Sequence, residues 1–275
     1  MTLLIGSIYA NGSTSDLEWL QIQKYFIEST TKDYHLVGVV PNPVRNCTIH
    51  NNIDIIGESY QVAEPVDYHM LGLRAIKAYF EENQDKFDRL LILDSDAFPI
   101  RKEWQQHLES AMTHLVEYCE IACPIRCELL ELRLHASILY ARSEALPYLE
   151  FKNGYFNGRH TPRRCLLTAW NDRGIFLPHY ETTRRIFVLP LLKSNQYTDG
   201  LLTGSIYYDL FYHHGAGSRR RQTRARAYWM PTSDMEYWRH KAVEDGKELK
   251  QKLLKQPDKT IEKLAGWNRG LYGAQ

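Results

Sequence analysis

Two aspartates one residue apart, Asp94 and Asp96, follow an apolar run at residues 90–93. Residues two apart in an extended segment point to the same side, so the two carboxylates are expected to lie close together. Close carboxylates repel, and one of them keeps its proton unless a cation neutralises the pair. Mg²⁺ and Mn²⁺ prefer oxygen ligands, and magnesium commonly borrows further oxygens from a substrate diphosphate. The pair therefore predicts a metal-bound diphosphate.

Two other interpretations compete for this pair. The first is a solvated turn after a strand, in which Asp94 caps the chain and Asp96 is exposed. The second is an aspartyl phosphatase, which also has two aspartates after a strand but has Thr or Val two residues beyond the second. Phe98, followed by Pro99, occupies that place here, and the pair lies mid-chain, so the sequence disfavours a phosphatase.

A second segment with suitable chemistry lies more than a hundred residues downstream. His213 and His214 precede Gly215 and Gly217, and five arginines lie within residues 219–226. Imidazole binds Mn²⁺ well, glycine lets a backbone approach phosphate closely, and the arginine fork matches phosphate oxygens. The structural alternative is a packed histidine pair followed by a solvated basic loop. Beside the aspartates, the segment would supply an imidazole ligand and positive charge.

The elements that must position these residues follow from the apolar pattern. Strands are predicted at residues 2–10, 34–41, 52–59 and 88–94, and helices at 15–30 and 67–83. The strand at 88–94 does not alternate, so it is expected to be buried on both faces. This order is typical of a mostly parallel α/β sheet with a nucleotide-type site at its carboxyl edge.

The second half of the chain is less regular. The patterns predict a helix at 102–119, strands at 120–126 and 136–142, one strand running into a glycine-rich turn over 205–219, and a charged helical tail. We expect one domain over residues 1–233 and a C-terminal helical extension over 234–275.

Composition narrows the class of protein. Hydrophobic residues make up 44% and charged residues 24%, which is ordinary for a globular protein, and the net charge of +1 creates no global field for nucleic acid or membrane. The sequence predicts no signal peptide and no stable membrane insertion, because no apolar run approaches the ~20 residues of a membrane span. Five cysteines in no common zinc pattern predict reduced thiols, and hence a cytoplasmic protein.

On these features the sequence resembles the GT-A-fold glycosyltransferases, which use a nucleotide sugar and a divalent metal. Their Asp-x-Asp motif after a sheet strand is matched by Asp94, Ser95 and Asp96. A late His-x-x-Gly, present in some members, is similar to residues 214–217 with their following arginines. The resemblance covers residues 3–226 as scattered short motifs, and it implies a GT-A-like, Rossmann-like fold with a mostly parallel central sheet flanked by helices.

The resemblance also implies how the metal is held. Asp96 binds Mn²⁺ or Mg²⁺ most directly, and Asp94 holds the ribose or completes the coordination. His214, or else His213, is the third protein ligand, and Ser95 lies against the donor.

Further implied roles concern the donor. Arg219 or Arg220, together with the metal, stabilises the charge that develops on the leaving nucleoside diphosphate. Arg74 approaches the diphosphate, and Ile8 and Tyr9 lie where members of the family hold the nucleoside base, with Tyr9 stacked on it or flanking it.

An inverting enzyme of this kind needs a base for the acceptor hydroxyl. Asp172 lies at a suitable distance along the chain, with an Asn-Asp turn as the alternative interpretation. Arg173 would neutralise Asp172 in a retaining enzyme, which needs no strong base. His135 and Trp170 are weaker candidates for the sugar pocket and the acceptor platform, and core packing is the alternative for both.

The expected reaction is glycosyl transfer from a nucleoside-diphosphate sugar, with a UDP-sugar favoured, to an acceptor hydroxyl. The acceptor is a saccharide, a lipid-linked sugar, a protein or a hydroxymethylated pyrimidine in DNA. The DNA alternative follows from a similarity to DNA-modifying glycosyltransferases and from the arginines at 219–226, which would contact phosphates. A non-enzymatic α/β module that binds a partner through this basic loop is the remaining alternative.

Overall fold

The computed structural model describes most of the chain. The described residues are 2–41, 43–44, 46–57, 68–114, 119–128, 131–134, 137–151, 175–176, 186–196, 202–215 and 232–266. The predictions for Asp172, Arg219, Arg220, His135 and Trp170 lie outside these ranges.

Strands and helices alternate through the first half of the chain, as the apolar pattern predicts. The strands are β1 (Thr2–Ile8), β2 (Tyr34–Val39), β3 (Asp54–Ile55), β4 (Phe87–Asp94), β5 (Ala97–Pro99), β6 (Ile121–Glu128), β7 (Glu131–Leu134), β8 (Ile138–Arg142), β9 (Glu150–Phe151), β10 (Ile175–Phe176), β11 (Ile186–Leu189), β12 (Leu191–Gln196), β13 (Leu202–Tyr207) and β14 (Phe211–His213). The helices are α1 (Thr14–Thr30), α2 (Tyr68–Glu82), α3 (Trp104–His114), α4 (Thr232–Lys255) and α5 (Pro257–Ala265).

The central sheet has eight strands in the order β11-β6-β8-β4-β1-β2-β3, with β7 paired to β6. Strands β4, β1, β2 and β3 are parallel, whereas β8 is antiparallel to both β4 and β6. The predicted α/β fold with a mostly parallel central sheet and flanking helices is confirmed.

Strand β4 is buried on both faces, as its sequence predicts. Leu90 and Ile92 pack on one face with Leu73, Ile76 and other residues of α2. Leu91 and Leu93, which alternate with them, pack on the other face with residues of α3. The apolar run therefore forms the rigid support that carries Asp94 at its end.

Glycines let α2 approach the sheet closely. A Cβ on Gly6 of β1 would lie 2.4 Å from Ile76 Cγ2, and a Cβ on Gly72 would lie 2.9 Å from Ile8 Cγ2. Each isoleucine thus occupies the space over a glycine of the partner element. Because α2 precedes β4 in a parallel unit, its first turn lies at the carboxyl edge of the sheet, beside the end of β4.

An ion-pair cluster joins α3 to the sheet. Glu109 accepts a 2.7 Å hydrogen bond from Arg89 Nε, and it also bonds Arg142 and Tyr140. Burial opposes the charge of Glu109, but its pKa is lowered because Arg142, Tyr140 and Arg89 stabilise the carboxylate. Arg142 is only 3% exposed, so the partly exposed Glu109 carboxylate is the counter-charge of a buried guanidinium.

A second sheet, in the order β12-β13-β14-β5, corrects one prediction. Residues 205–213 form a hairpin instead of a single strand, because Tyr208 and Asp209 adopt positive φ angles of 50° and 57° and reverse the chain. Asp tolerates this conformation, but Tyr is not a usual turn residue, so the sequence carried no clear turn signal. Strand β14 then pairs with β5, which directly follows the aspartates.

The C-terminal helices share a core with the rest of the chain. Leu249 and Leu253 of α4 and Ile261 of α5 belong to one buried cluster with Trp19, Phe98 and Tyr212. Among the described helices, none has a stretch long and apolar enough to cross a membrane.

Candidate metal centre

The aspartate pair occupies a tight turn at the carboxyl edge of the central sheet. Strand β4 ends at Asp94, whose backbone N–H donates to the carbonyl of Ser137 at 2.9 Å, and β5 begins three residues later at Ala97. Ser95 and Asp96 are 8% and 6% exposed. The solvated-turn interpretation of Asp96 is wrong, since this carboxylate is buried.

Strand β14 brings a histidine to this turn. His213 lies opposite Ala97 in the β14–β5 register, and the next residue donates its backbone N–H to the carbonyl of Asp96 at 3.0 Å. The Nε2 atom of His213 is 3.6 Å from Asp94 Oδ2 and 3.5 Å from Asp96 Oδ1. One donor atom from each of the three residues falls within a span of 4.8 Å, as a shared metal ion would require.

The charge of Asp96 is stabilised in spite of its burial. Burial alone would raise the pKa of this carboxyl, but the charge and hydrogen bond of His213 outweigh it and lower the pKa. Asp94 acts in the opposite sense, because two neighbouring carboxylates repel. The lowered pKa favours the ionised carboxylate of Asp96, which is the form that binds a cation.

His214 is buried in the core and is not one of the three residues of this cluster. It is 2% exposed, its Nδ1 is 2.9 Å from the Tyr212 hydroxyl, and its ring also bonds the backbone of Gly246 in α4. Burial lowers the pKa of His214 to about 4, so the imidazole is neutral at pH 7. Of the two histidines that the sequence left open, the structure brings His213 to the aspartates.

His69 also lies at the aspartate turn, although its sequence context does not resemble a site motif. It lies in the first turn of α2, and its Nε2 is 2.6 Å from Asp94 Oδ1. The two oxygens of Asp94 therefore face different histidines, Oδ1 toward His69 and Oδ2 toward His213. A signal was present, since the first turn of a helix that precedes a parallel strand lies at the carboxyl edge of that strand.

Ile8 is the last residue of β1 and Tyr9 is the next, and both side chains are buried. Ile8 is 5% exposed and packs over Gly72. Tyr9 is 0% exposed, and its hydroxyl donates to Gln23 Oε1 at 2.6 Å. This position places the Tyr9 ring in the core, which does not fit the expectation that it stacks on a nucleoside base.

Arg74 is exposed on α2, and its Nε donates to the carbonyl of Phe151 at 2.6 Å. Its guanidinium is therefore tied to β9 in this structure.

The backbone N–H groups of the loop after β1 donate to a carboxylate of the chain itself. Asp16 is 4% exposed, and its Oδ2 accepts from the backbone N–H groups of Gly12 at 2.8 Å, Asn11 at 3.1 Å and Ser13 at 3.3 Å. In dinucleotide-binding α/β folds, such N–H groups hold the pyrophosphate. Because Asp16 takes them here, a diphosphate at this edge would rely on a cation at the aspartate pair instead.

No protein-family model and no curated protein matches this chain. Among solved structures it is similar to A197 from STIV, at 12% identity and a TM-score of 0.38, over 83% of this chain and 100% of that one. It is also similar to a glycosyltransferase involved in the glycosylation of the major capsid of PBCV-1, at 14% identity and a TM-score of 0.31, over 54% of this chain and 63% of that one. A third is the mannosyltransferase PcManGT from Pyrobaculum calidifontis in complex with GDP-Man and Mn²⁺, at 8% identity and a TM-score of 0.36, over 53% of this chain and 45% of that one. The chain thus spans less than two thirds of the length of these two glycosyltransferases.

Proposed function

We propose that this chain is a metal-dependent glycosyltransferase, which moves a sugar from a nucleoside-diphosphate sugar to an acceptor hydroxyl. The observation that carries the proposal is the convergence of Asp94, Asp96 and His213 within 4.8 Å at the carboxyl edge of an α/β sheet. Ligands of open α/β sheets bind at this edge.

The donor set fits a small divalent cation. Two carboxylates and one imidazole suit Mn²⁺, and the imidazole makes the set less suited to Mg²⁺, which prefers oxygen alone. A cation would also relieve the repulsion between the buried Asp96 and its neighbour Asp94. Three protein ligands leave coordination positions for diphosphate oxygens.

The roles of the residues follow from their places. Asp96 and His213 hold the metal, and Asp94 joins them through Oδ2. His214 packs in the core beside the site, so His213 is proposed as the third protein ligand. Ser95 lies within the same turn, toward the donor.

Further contacts with the sugar-nucleotide donor are proposed from the resemblance. Arg74, Arg219 and Arg220 are proposed to approach the diphosphate. Ile8 is proposed to lie beneath the nucleoside at the end of β1, whereas the buried Tyr9 supports this place from within the core and does not stack on the base. A UDP-sugar is the favoured donor.

The reaction breaks the bond between the sugar C1 and the oxygen of the distal phosphate, and it forms a bond between C1 and the acceptor oxygen. The metal, when bound, offsets the charge that develops on the leaving diphosphate. The acceptor proton goes to Asp172 in an inverting reaction or to a leaving phosphate oxygen in a retaining one. The stereochemical course of the product distinguishes the two.

A saccharide hydroxyl is proposed as the acceptor. The alternative acceptor, a hydroxymethylated pyrimidine in DNA, depends on the arginines at 219–226, and the non-enzymatic alternative depends on the same segment. Binding to duplex DNA across a salt series tests the first, because phosphate contacts impose a steep salt slope. Binding of a partner without any need for metal would favour the second.

The proposal is tested by incubating the chain with UDP-, GDP- and CMP-sugars, with Mn²⁺ or with EDTA. We expect at least one sugar nucleotide to be hydrolysed or transferred only with the metal, and Asp96→Ala to abolish the activity while the circular dichroism spectrum is retained. Full activity in Asp96→Ala, or no stabilisation by any of these nucleotides with Mn²⁺, would contradict it.

A further inference from the structure

A buried amide from α1 bridges the ends of the aspartate turn. Gln23 is 0% exposed, and its Nε2 donates to the backbone carbonyls of Asp94 at 3.1 Å and Ala97 at 2.8 Å. These two carbonyls stand immediately outside the dipeptide that contains Asp96. The side chain of Gln23 therefore fixes the distance across the turn that carries both carboxylates.

The orientation of this amide is itself fixed. Gln23 Oε1 accepts the hydroxyl of Tyr9 at 2.6 Å, and Tyr9 is fully buried. Because a tyrosine hydroxyl here donates to the amide oxygen, the Nε2 group must face the two carbonyls. Tyr9 thus orients Gln23, and Gln23 closes the turn.

We infer that Gln23 is a positioning residue for the metal centre, with Tyr9 as its orienting partner. The inference rests on the proposed function, since it requires a metal at Asp94, Asp96 and His213. The bonds described for Gln23 and Tyr9 go to each other and to backbone carbonyls, and not to the side-chain atoms that would bind the metal. The pair acts by holding the turn backbone, so that the carboxylates stay close to His213 before the cation binds.

Several features make this bridge more than ordinary core packing. The Gln23 amide oxygen accepts one hydrogen bond, and its Nε2 group donates two. Both donated bonds go to the turn that carries the carboxylates. An apolar side chain of the same length would fill the space but leave two buried carbonyls without these donors. The turn would then relax, and the ligand geometry would relax with it.

The test measures the affinity for Mn²⁺ itself, by following the electron paramagnetic resonance signal of the free ion, at a temperature well below unfolding. Gln23→Met keeps the length of the side chain and removes all three hydrogen bonds. We expect it to weaken Mn²⁺ binding by about 10- to 100-fold, as loss of an outer partner of a metal site typically does. Tyr9→Phe keeps both carbonyl bonds and should weaken binding less.

The matched control is Thr31→Val, which removes a buried hydrogen bond, 2.9 Å long, from Trp104 Nε1 to Thr31 Oγ1 at the C-cap of α1. This variant should lose stability and keep its Mn²⁺ affinity. An equal loss of affinity in Thr31→Val would overturn the inference, because stability alone would then explain it.

The remaining outcomes separate this inference from the proposed function. Wild-type affinity in Gln23→Met overturns the inference and leaves the metal centre standing, provided that Asp96→Ala still abolishes binding. If Gln23→Met does not fold, wild-type affinity in Tyr9→Phe overturns it. A wild-type chain that binds no Mn²⁺ overturns the metal centre and the inference together.

Discussion

Replacement of Asp96 by asparagine removes one charge from the cluster of Asp94, Asp96 and His213 while it preserves the shape of the side chain. The metal-free variant should stay folded. It loses the attraction between the carboxylate and His213, but it also no longer buries a charge, and these two effects oppose each other. Its melting temperature without metal should therefore lie close to that of the wild type.

The response to Mn²⁺ should differ strongly. At an Mn²⁺ concentration about 100 times the dissociation constant, binding stabilises the wild type by about 2.7 kcal/mol. For a chain of this size, that corresponds to a rise in melting temperature of about 5–10 °C. Loss of a direct ligand should weaken binding at least about 100-fold, since loss of an outer partner alone can reach that value. The same Mn²⁺ concentration then stabilises the variant by only about 0.4 kcal/mol, or about 1 °C.

Differential scanning fluorimetry with and without Mn²⁺ measures this difference. Asp209→Asn is the matched control, because it makes the same chemical change in the β13–β14 turn, where Asp209 pairs with Arg101 and has a φ of 57° that asparagine tolerates. The control should keep the full Mn²⁺ response. An equal Mn²⁺ response in Asp96→Asn and the wild type would refute the assignment of Asp96 as a metal ligand.

Three further predictions concern His69 beside the site and the packing of α2 and α3 against the central sheet. His69→Leu should weaken Mn²⁺ binding by about 10- to 100-fold, because it frees the oxygen of Asp94 that His69 holds, and His69→Gln should restore part of the affinity in the same titration. Gly6→Ala should lower the free energy of unfolding by about 1–3 kcal/mol in urea, because its Cβ would overlap Ile76. Glu109→Gln should lower it by about 3 kcal/mol at pH 7, because the change removes the counter-charge of a buried arginine. Since the folded-state pKa of Glu109 is lowered, its contribution is complete above the ordinary glutamate value of about 4.3 and should disappear as the pH falls through the lowered pKa. A Glu109→Gln deficit that persists unchanged at lower pH would contradict this assignment.

The parts of the site that the sequence predicts are those that local pattern encodes. The run at residues 90–93 is apolar at every position, because both faces of β4 are covered. This pattern predicts a buried strand and places Asp94 at its end. The amphipathic pattern of residues 67–83 gave α2 for a similar reason. Such patterns indicate which residues become buried, and each segment contains this information in its own sequence.

The convergence of the site is not encoded locally. His213 reaches the aspartates because β14 pairs with β5. Strand β14 is formed only because the chain reverses at Tyr208 and Asp209, a turn with no glycine or asparagine. His69 reaches Asp94 because two glycines set the depth of α2 against the sheet. Gln23 reads in the sequence as an ordinary polar position on α1, since its partners are backbone carbonyls 71 and 74 residues away.

The C-terminal helices contact residues that adjoin the candidate metal centre. His214, next to the proposed ligand His213, is packed against Trp19 with ring centroids 4.7 Å apart and bonded to the backbone of Gly246 in α4. Lys250, one turn further along α4, lies 4.9 Å from the Trp19 ring and donates to the Ser15 carbonyl at 3.0 Å. The hydrogen bond between His214 and Gly246 crosses the expected boundary at residue 233, and that boundary stays a prediction. We therefore expect α4 to help position His213. It holds His214 through Gly246, and His214 is the next residue in the chain.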